Sequence, residues 1–366
     1  MTDMSDLEVT VQQEIDAPLL AKPHVVLLGA GASRAALPSG DLNGRPVPLL
    51  RDVALELELE LELELAAQFP DDLRDLAVTD FEASYSRLYE RDPGLTTRID
   101  DQVRDYFAQL ELPTEPTLYD ALVLSLRDKD DILTFNWDPF LFQTVLRLIN
   151  AGVPSTALPT TWYLHGNVAV GHCDEHPQVR HVPGARCKYC HKPLMASRLL
   201  FPVEHKDYQD GSIIEREWEA AQHFLGDALW FTVFGYSAPV TDVEAKQLLK
   251  DAWGELEDRR MEQTEIINRP GADHDEFRET WDLFIHTHHY EIHDSFYESW
   301  IANHPRRTAE AHFNQYIEAK FIENNPVPSD FATVEELVAW FQPLLEAERR
   351  YMDSLAGDPP EDTPPS

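Results

Sequence analysis

Apolar residues in this chain gather in short unbroken runs rather than alternating with polar ones. The runs are His24–Leu28 (HVVLL), Asp131–Phe135 (DILTF), Trp162–Leu164 (WYL), Leu229–Phe234 (LWFTVF) and Glu265–Ile267 (EII). Continuous runs rich in β-branched and aromatic residues predict strands buried on both faces, the signature of a parallel sheet. Helical stretches lie between most of them, including Pro139–Leu148 and Asp242–Trp253. Strands alternating with helices predict an α/β fold, a doubly wound Rossmann-like parallel sheet whose ligands sit at the carboxyl ends of the strands. The first four runs lead straight into small or polar clusters, GAGAS, NWD, HGN and GYS, and the fifth into Asn268-Arg269-Pro270. Polar groups collected at one sheet edge predict a binding cleft there.

The remaining pattern divides the chain. Residues 1–20 read as a mobile or helical arm, and 21–275 as the domain built on the sheet. That domain carries a largely helical insertion at 45–120 and a small metal module at 170–195. Residues 276–356 read as mostly helical, with Ala309–Ile322 and Val334–Leu355 expected to pack on the core or to meet a second copy or a protein partner. The acidic, proline-rich stretch 357–366 reads as a disordered tail. The alternating run Leu55–Leu65 (LELELELELEL) lacks β-branched residues, so helix is expected, as a repeat expansion that the helix tolerates. No apolar run reaches the roughly 18 residues that a membrane span requires, and the first residues lack a signal peptide's basic and apolar regions. A cytoplasmic protein without membrane contact is expected.

Charge narrows the partners. With 30 basic and 66 acidic residues the formal charge is −36, which repels phosphate backbones and excludes direct nucleic-acid binding from the expectations. The three cysteines all fall between Cys173 and Cys190, which fits metal binding in a reducing compartment better than disulfides.

Four constellations carry candidate chemistry. Gly29-Ala30-Gly31-Ala32-Ser33 follows a strand, where glycines let the backbone approach a pyrophosphate. The third glycine of the dinucleotide fingerprint is replaced by Arg34, and no Walker-type lysine follows, which disfavours an ordinary dehydrogenase or a P-loop ATPase. Asn136 and Asp138 stand two apart after a strand, so both can face the cleft. His165 ends the next strand beside Gly166. It is either a general base, the usual work of an imidazole near neutral pH, or a satisfied structural histidine. Cys173-x2-His176, ten residues, then Cys187-x2-Cys190 has the spacing of a closed, structural tetrahedral Zn²⁺ site, with His172 or His191 as alternative fourth ligands. By contrast, His286, His288, His289 and His293 fit no standard chelate spacing, and no carboxylate pair completes a site with them. Trp281, Tyr290 and Trp300 read as core, and the acidic runs Asp71-Asp72 and Asp128–Asp131 as solvated faces.

In this order the motifs resemble the sirtuin family: a glycine-alanine-glycine-x-serine loop, T-x-N-x-D at Thr134–Asp138, His165-Gly166, the zinc ribbon, Gly235-Tyr236-Ser237 and Ile267-Asn268. The resemblance spans roughly residues 24–270 and rests on collinearity. It implies that Gly29, Ala30, Gly31 and Ser33 contact the phosphates of NAD. It also implies that Asn136 and Asp138 lie near the nicotinamide ribose, that His165 is the general base, and that Gly235, Ser237 and Asn268 hold the adenosine half. A sixth strand bearing the histidines would lie near that half.

Departures point away from deacylation. Gly44–Arg51 replaces the deacylase G-x-P-x-F-R, Phe135 replaces the glutamine of T-Q-N, and Leu199–His205 replaces the strand that grips an acyl-lysine peptide. The pattern looks like the sirtuin-like NAD hydrolases of prokaryotic antiviral defence. The resulting expectation is cleavage of the nicotinamide–ribose bond of NAD⁺. The alternatives are an NAD-dependent protein deacylase and a non-catalytic NAD or ADP-ribose sensor.

Overall fold

The computed structural model describes residues 7–48, 69–79, 81–201, 213–238 and 242–357. The Leu-Glu run and nearly all of the expected tail lie outside these residues. Six strands form one sheet: β1 (His24–Leu28), β2 (Asp131–Thr134), β3 (Thr160–Tyr163), β4 (Trp230–Phe234), β5 (Gln263–Ile267) and β6 (Tyr290–His293). Their order is β3-β2-β1-β4-β5-β6, and every pairing is parallel. This is the Rossmann order, which reverses direction between β1 and β4 and opens a crevice at their carboxyl ends.

Parallel pairing requires a crossover between consecutive strands. Helices Phe140–Asn150, Ile213–Asp227, Val243–Trp253 and His274–Thr280 serve β2 to β6 in turn. Between β1 and β2 stand helices Asp71–Thr79, Phe81–Arg91, Pro93–Ala108 and Leu118–Leu124, in the expected helical insertion. Both faces of the sheet are covered. Val26 and Leu28 join one apolar core with Leu122, Phe140 and Phe341, while Val25 and Leu27 join the other with Trp218, Trp253 and Trp281. Alternate residues of β1 thus serve opposite cores, as a pleated strand demands. No helix among the described residues is long and apolar enough to cross a membrane.

Of the two readings of the amino-terminal arm, helix holds for Val11–Ile15, which a Thr10–Gln13 capping box opens, and Glu8–Val9 pairs in parallel with Phe321–Ile322. The stretch Ala309–Ile322 is only partly α-helical. Thr308–His312 gives way to a π-helical turn, Phe313–Ile317, and then to the short strand. Asp130 and Asp131 are buried, not solvated. Asp130 accepts bonds from the His24 and Arg127 amides and from Lys129 Nζ, and Asp131 accepts from Trp162 Nε1 at 2.7 Å. Burial pushes Asp131 up to about 7. Asp71 and Asp72 are exposed, as expected, and Trp281 and Trp300 are core.

The region after β6 is fastened by buried charge. Arg306 and Arg307 are fully buried. Glu348, from the long helix Val334–Gly357, accepts from Arg306 Nε (2.9 Å) and Nη2 (2.6 Å) and from Arg307 Nη1 (2.6 Å). Arg306 also donates to the carbonyls of Leu124 and Leu126, and Arg307 to that of Glu14. Burial opposes the Glu348 charge, but Arg306, Arg307 and Arg127 outweigh it and hold the carboxyl below its usual range.

Candidate active site at the carboxyl edge of the sheet

The glycine loop sits at the point where strand order reverses. Gly29 donates to the Phe234 carbonyl and Gly31 to the Gly235 carbonyl, both at 3.0 Å, so the ends of β1 and β4 lie backbone to backbone. A Cβ on Gly29 would come within 2.6 Å of Gly235 O, and one on Gly31 within 2.8 Å. Gly235 itself has φ +63°, a left-handed backbone where any side chain would be strained. The glycines are therefore needed for this packing whether or not a phosphate is bound. Among the first-turn amides of helix Ala30–Ala36, those of Gly31 and Ala32 already have backbone partners, Gly235 O and Gly29 O.

Beneath the loop lies a closed polar network. Ser33 is fully buried, and its hydroxyl donates to Asp138 Oδ2 at 2.6 Å. It also meets the Tyr119 hydroxyl at 2.7 Å and accepts from Asn136 Nδ2 at 2.9 Å. The same Nδ2 donates to Gly29 O at 2.9 Å. Asn136 and Asp138, expected to face the cleft, are both buried and turn to the loop instead: the amide nitrogen grips its carbonyl and the carboxylate holds its serine. Burial pushes Asp138 up to about 6, although its bonds from Ser33 and the Phe140 amide act in the opposite direction. Burial, with Asp138 beside it, also raises the Tyr119 hydroxyl well above its ordinary value.

His165 follows β3 and turns sharply through Gly166, whose φ is +79° and where a Cβ would collide with the Arg198 carbonyl. Asn167 then ties this turn to β2, donating through Nδ2 to the Asp138 carbonyl at 2.6 Å. The His165 imidazole is 5% exposed and lies against Phe135, ring centroids 4.6 Å apart. Phe135 also packs on Tyr236, of the turn after β4, with ring centroids 4.4 Å apart. One aromatic row therefore runs His165–Phe135–Tyr236 along the carboxyl edge, and the Tyr236 hydroxyl donates to Asp242 at 2.9 Å. Ser237 is exposed at the end of this row. Asn268 follows β5, its amide bonded to the His293 carbonyl at 3.0 Å. The expected residues follow the ends of five strands, β1 to β5, along one edge of the sheet. Tyr119, Asn167 and Tyr236 complete the framework. Asn167 and Tyr236 sit inside motifs visible in the sequence, whereas nothing in the spacing around Tyr119 marks it.

The metal module folds as three short strands, Gly171–His172, Arg180–His181 and Met195–Ala196. Cys173 Sγ lies 3.5 Å from Cys190 Sγ and 3.7 Å from His176 Nδ1, and Cys187 Sγ lies 3.7 Å from the same nitrogen. Two thiolates on one tetrahedral Zn²⁺, each about 2.3 Å from it, stand roughly 3.8 Å apart. The donor set therefore fits a four-coordinate ion. His176 is the fourth donor, while His172 turns to Asp174 at 3.2 Å.

No protein-family model matches the chain, and no curated protein matches it. Solved structures do. A Sir2 histidine-to-alanine mutant with a deacetylated p53 peptide and 3′-O-acetyl ADP-ribose is 13% identical, with 85% of this chain and 98% of that one covered at a TM-score of 0.35. A Sir2 homologue mutant in complex with ADP-ribose is 12% identical, covering 92% and 97% at 0.35. A Sir2 structure described for the mechanism and regulation of these enzymes is 12% identical, covering 96% and 99% at 0.34.

Proposed function

We propose that this chain is a sirtuin-like NAD-binding enzyme that hydrolyses the nicotinamide–ribose bond of NAD⁺. The observation that carries the reading is that the Gly29–Ser33 loop lies where strand order reverses, the position where parallel α/β sheets bind dinucleotides, with Asn136 bonded to it and the His165 turn tied to Asn136 and Asp138 through Asn167. The loop would lie along the pyrophosphate, with Ser33, Asn136 and Asp138 keeping it in shape from below. Gly235, Ser237 and Asn268 would take the adenosine half. Zn²⁺ at Cys173, His176, Cys187 and Cys190 would hold the small lobe together and take no part in the reaction.

The chemistry asks little of the protein. Nicotinamide is a neutral leaving group once it departs with the bonding pair from C1′ of the ribose. A water oxygen forms the new bond to C1′, and the proton it loses passes to His165, directly or through a ribose hydroxyl. The products are ADP-ribose, nicotinamide and a proton. The Nδ2 of Asn136 is engaged by the loop, so Oδ1 is the atom that would orient the water. Phe135 and Tyr236 line the same edge with apolar surface, which limits competing solvent.

In a test, purified chain is incubated with NAD⁺ with and without an acetylated peptide, and nicotinamide release is followed. Release without peptide supports hydrolysis. Release only with peptide supports deacylation instead, and tight binding without turnover supports a sensor. A role in antiviral defence, and assembly through the region after β6, are further parts of this reading. They would be tested by phage challenge of cells carrying the gene and by the sedimentation of the purified chain.

A further inference from the structure

The sheet ends at β6 with an unusual concentration of like charge. Glu265 of β5 and Glu291 of β6 are register partners, so their side chains stand side by side on one face of the sheet. Like charges directly opposite one another are destabilising, and Glu265 is fully buried. Both are nevertheless held by hydrogen bonds that favour the ionised form. Thr232 Oγ1 donates to Glu265 Oε2 at 2.8 Å, the Trp300 amide donates to Glu265 Oε1 at 2.6 Å, and the Tyr316 hydroxyl donates to Glu291 Oε1 at 3.2 Å.

His293 stands two residues along β6 on the same face. Its Nε2 lies 3.4 Å from Glu265 Oε1 and 3.2 Å from Glu291 Oε2, yet this buried atom meets hydrogen-bond geometry with neither. Three donor atoms from two strands therefore converge on one point. The two separations from Nε2 match the roughly 3.0–3.4 Å between neighbouring ligands about 2.1 Å from a shared ion, and all three donor atoms lie within 4.8 Å of one another. From the sequence no carboxylate pair completed a site with these histidines. The fold supplies one, taking Glu265 from the neighbouring strand.

We propose that Glu265, Glu291 and His293 bind a divalent transition-metal cation of the Mn²⁺, Fe²⁺ or Zn²⁺ class, at a site separate from the Cys3His group. Two carboxylates and one imidazole are the donor set that such ions accept and that soft ions do not. The charge balance favours it. Two carboxylates with a protonated imidazole leave −1 on this face, whereas a divalent ion with a neutral imidazole leaves zero. Thr232, Trp300 and Tyr316 act as the outer partners that orient ligating carboxylates. The side chains of His293 and Glu291 are 18% and 26% exposed at the sheet edge, which leaves a path for the ion and room for water to complete its shell. The bound ion would pin β6 to β5 beside Asn268. A proton on His293 is the competing occupant: burial disfavours it, but the two carboxylates push the imidazole up to about 10.

Manganese separates the two metal sites, because it is poorly matched to thiolates and leaves a zinc-loaded Cys3His group alone. Full-length, zinc-loaded chain is titrated with Mn²⁺ and followed by loss of the free-ion EPR signal, and the bound ion is then examined by pulsed EPR. One tight site is expected, showing nitrogen modulation from a coordinated imidazole. His293→Gln should abolish the modulation and weaken binding roughly 10–100-fold, and Glu291→Gln should weaken it comparably. Should His293→Gln fail to fold, Glu291→Gln on the sheet edge carries the affinity test, and the modulation in the parent chain carries the ligand assignment. Manganese bound without nitrogen modulation, modulation that survives in His293→Gln, or affinity unchanged in Glu291→Gln would overturn the site. So would the absence of any tight site in the folded parent chain.

Discussion

The helix Leu118–Leu124 carries a buried polar network at each end, and the two are built from different kinds of group. At its first turn Tyr119 joins Ser33, Asn136 and Asp138, mostly hydroxyls and an amide around one carboxyl whose pKa burial has raised. At its far end the Leu124 and Leu126 carbonyls meet Arg306, which shares Glu348 with Arg307. The first network holds a loop in shape with one ionisable carboxyl among hydroxyls and an amide. The second bolts the amino-terminal segment and the last helix to the domain with full charges. A network built mainly of hydroxyls and amides loses one hydrogen bond at a time, whereas one built on ion pairs leaves an ion stranded when a partner is removed.

That difference sets the order of expected effects. Glu348→Gln should be the most damaging, destabilising the chain by about 3–5 kcal/mol in urea unfolding, because two buried guanidinium groups lose a shared counter-charge. Since the folded carboxyl sits below its unfolded value, its contribution is complete above the unfolded pKa and is lost as pH falls through the folded one. The gap between variant and parent should therefore be full at neutral pH and close on acidification. Ser33→Ala should be milder, about 1–3 kcal/mol, as Asp138, Asn136 and Tyr119 each lose one bond. A loss as large as that of Glu348→Gln would mean that the loop network is not the softer of the two.

Asp138→Asn should act in the opposite direction, and only at high pH. The Asp138 carboxyl titrates near 6 in the folded chain against an ordinary 3.8. The folded state thus binds the proton more tightly, and parental stability falls as pH rises between those values, by about 3 kcal/mol in all. Asparagine can still accept from Ser33 and does not titrate. The variant should match the parent near pH 4 and exceed it at pH 8 in thermal unfolding, and a parent that gains stability relative to the variant over this range would contradict the assignment.

The two networks also differ in how far they could be foreseen. The loop side was legible because its residues lie at strand ends: an unbroken apolar run followed by GAGAS, NWD or HGN marks a strand and then its polar tip. Even there Tyr119 was invisible, since a tyrosine on an apolar helix carries no sign of which hydroxyl it will meet. The charged side, assembled from positions 14, 127, 306, 307 and 348, has no local pattern at all. The same gap explains Asp130 and Asp131. Two acids in a polar run resemble a solvated turn until His24, Lys129 and Trp162 arrive from elsewhere in the chain or turn inward beside them. Metal donors divide in the same way: Cys173–Cys190 announces itself by spacing, whereas Glu265 reaches His293 only through strand pairing.

The central claim is that His165, at the edge shared with the glycine loop, is the base for cleavage of NAD⁺. The most direct test compares nicotinamide release by the parent chain and by folded His165→Ala, both without peptide. The expected result is release by the parent and a rate roughly 10²–10⁴-fold lower in the variant. Release by His165→Ala at the parental rate would contradict the account.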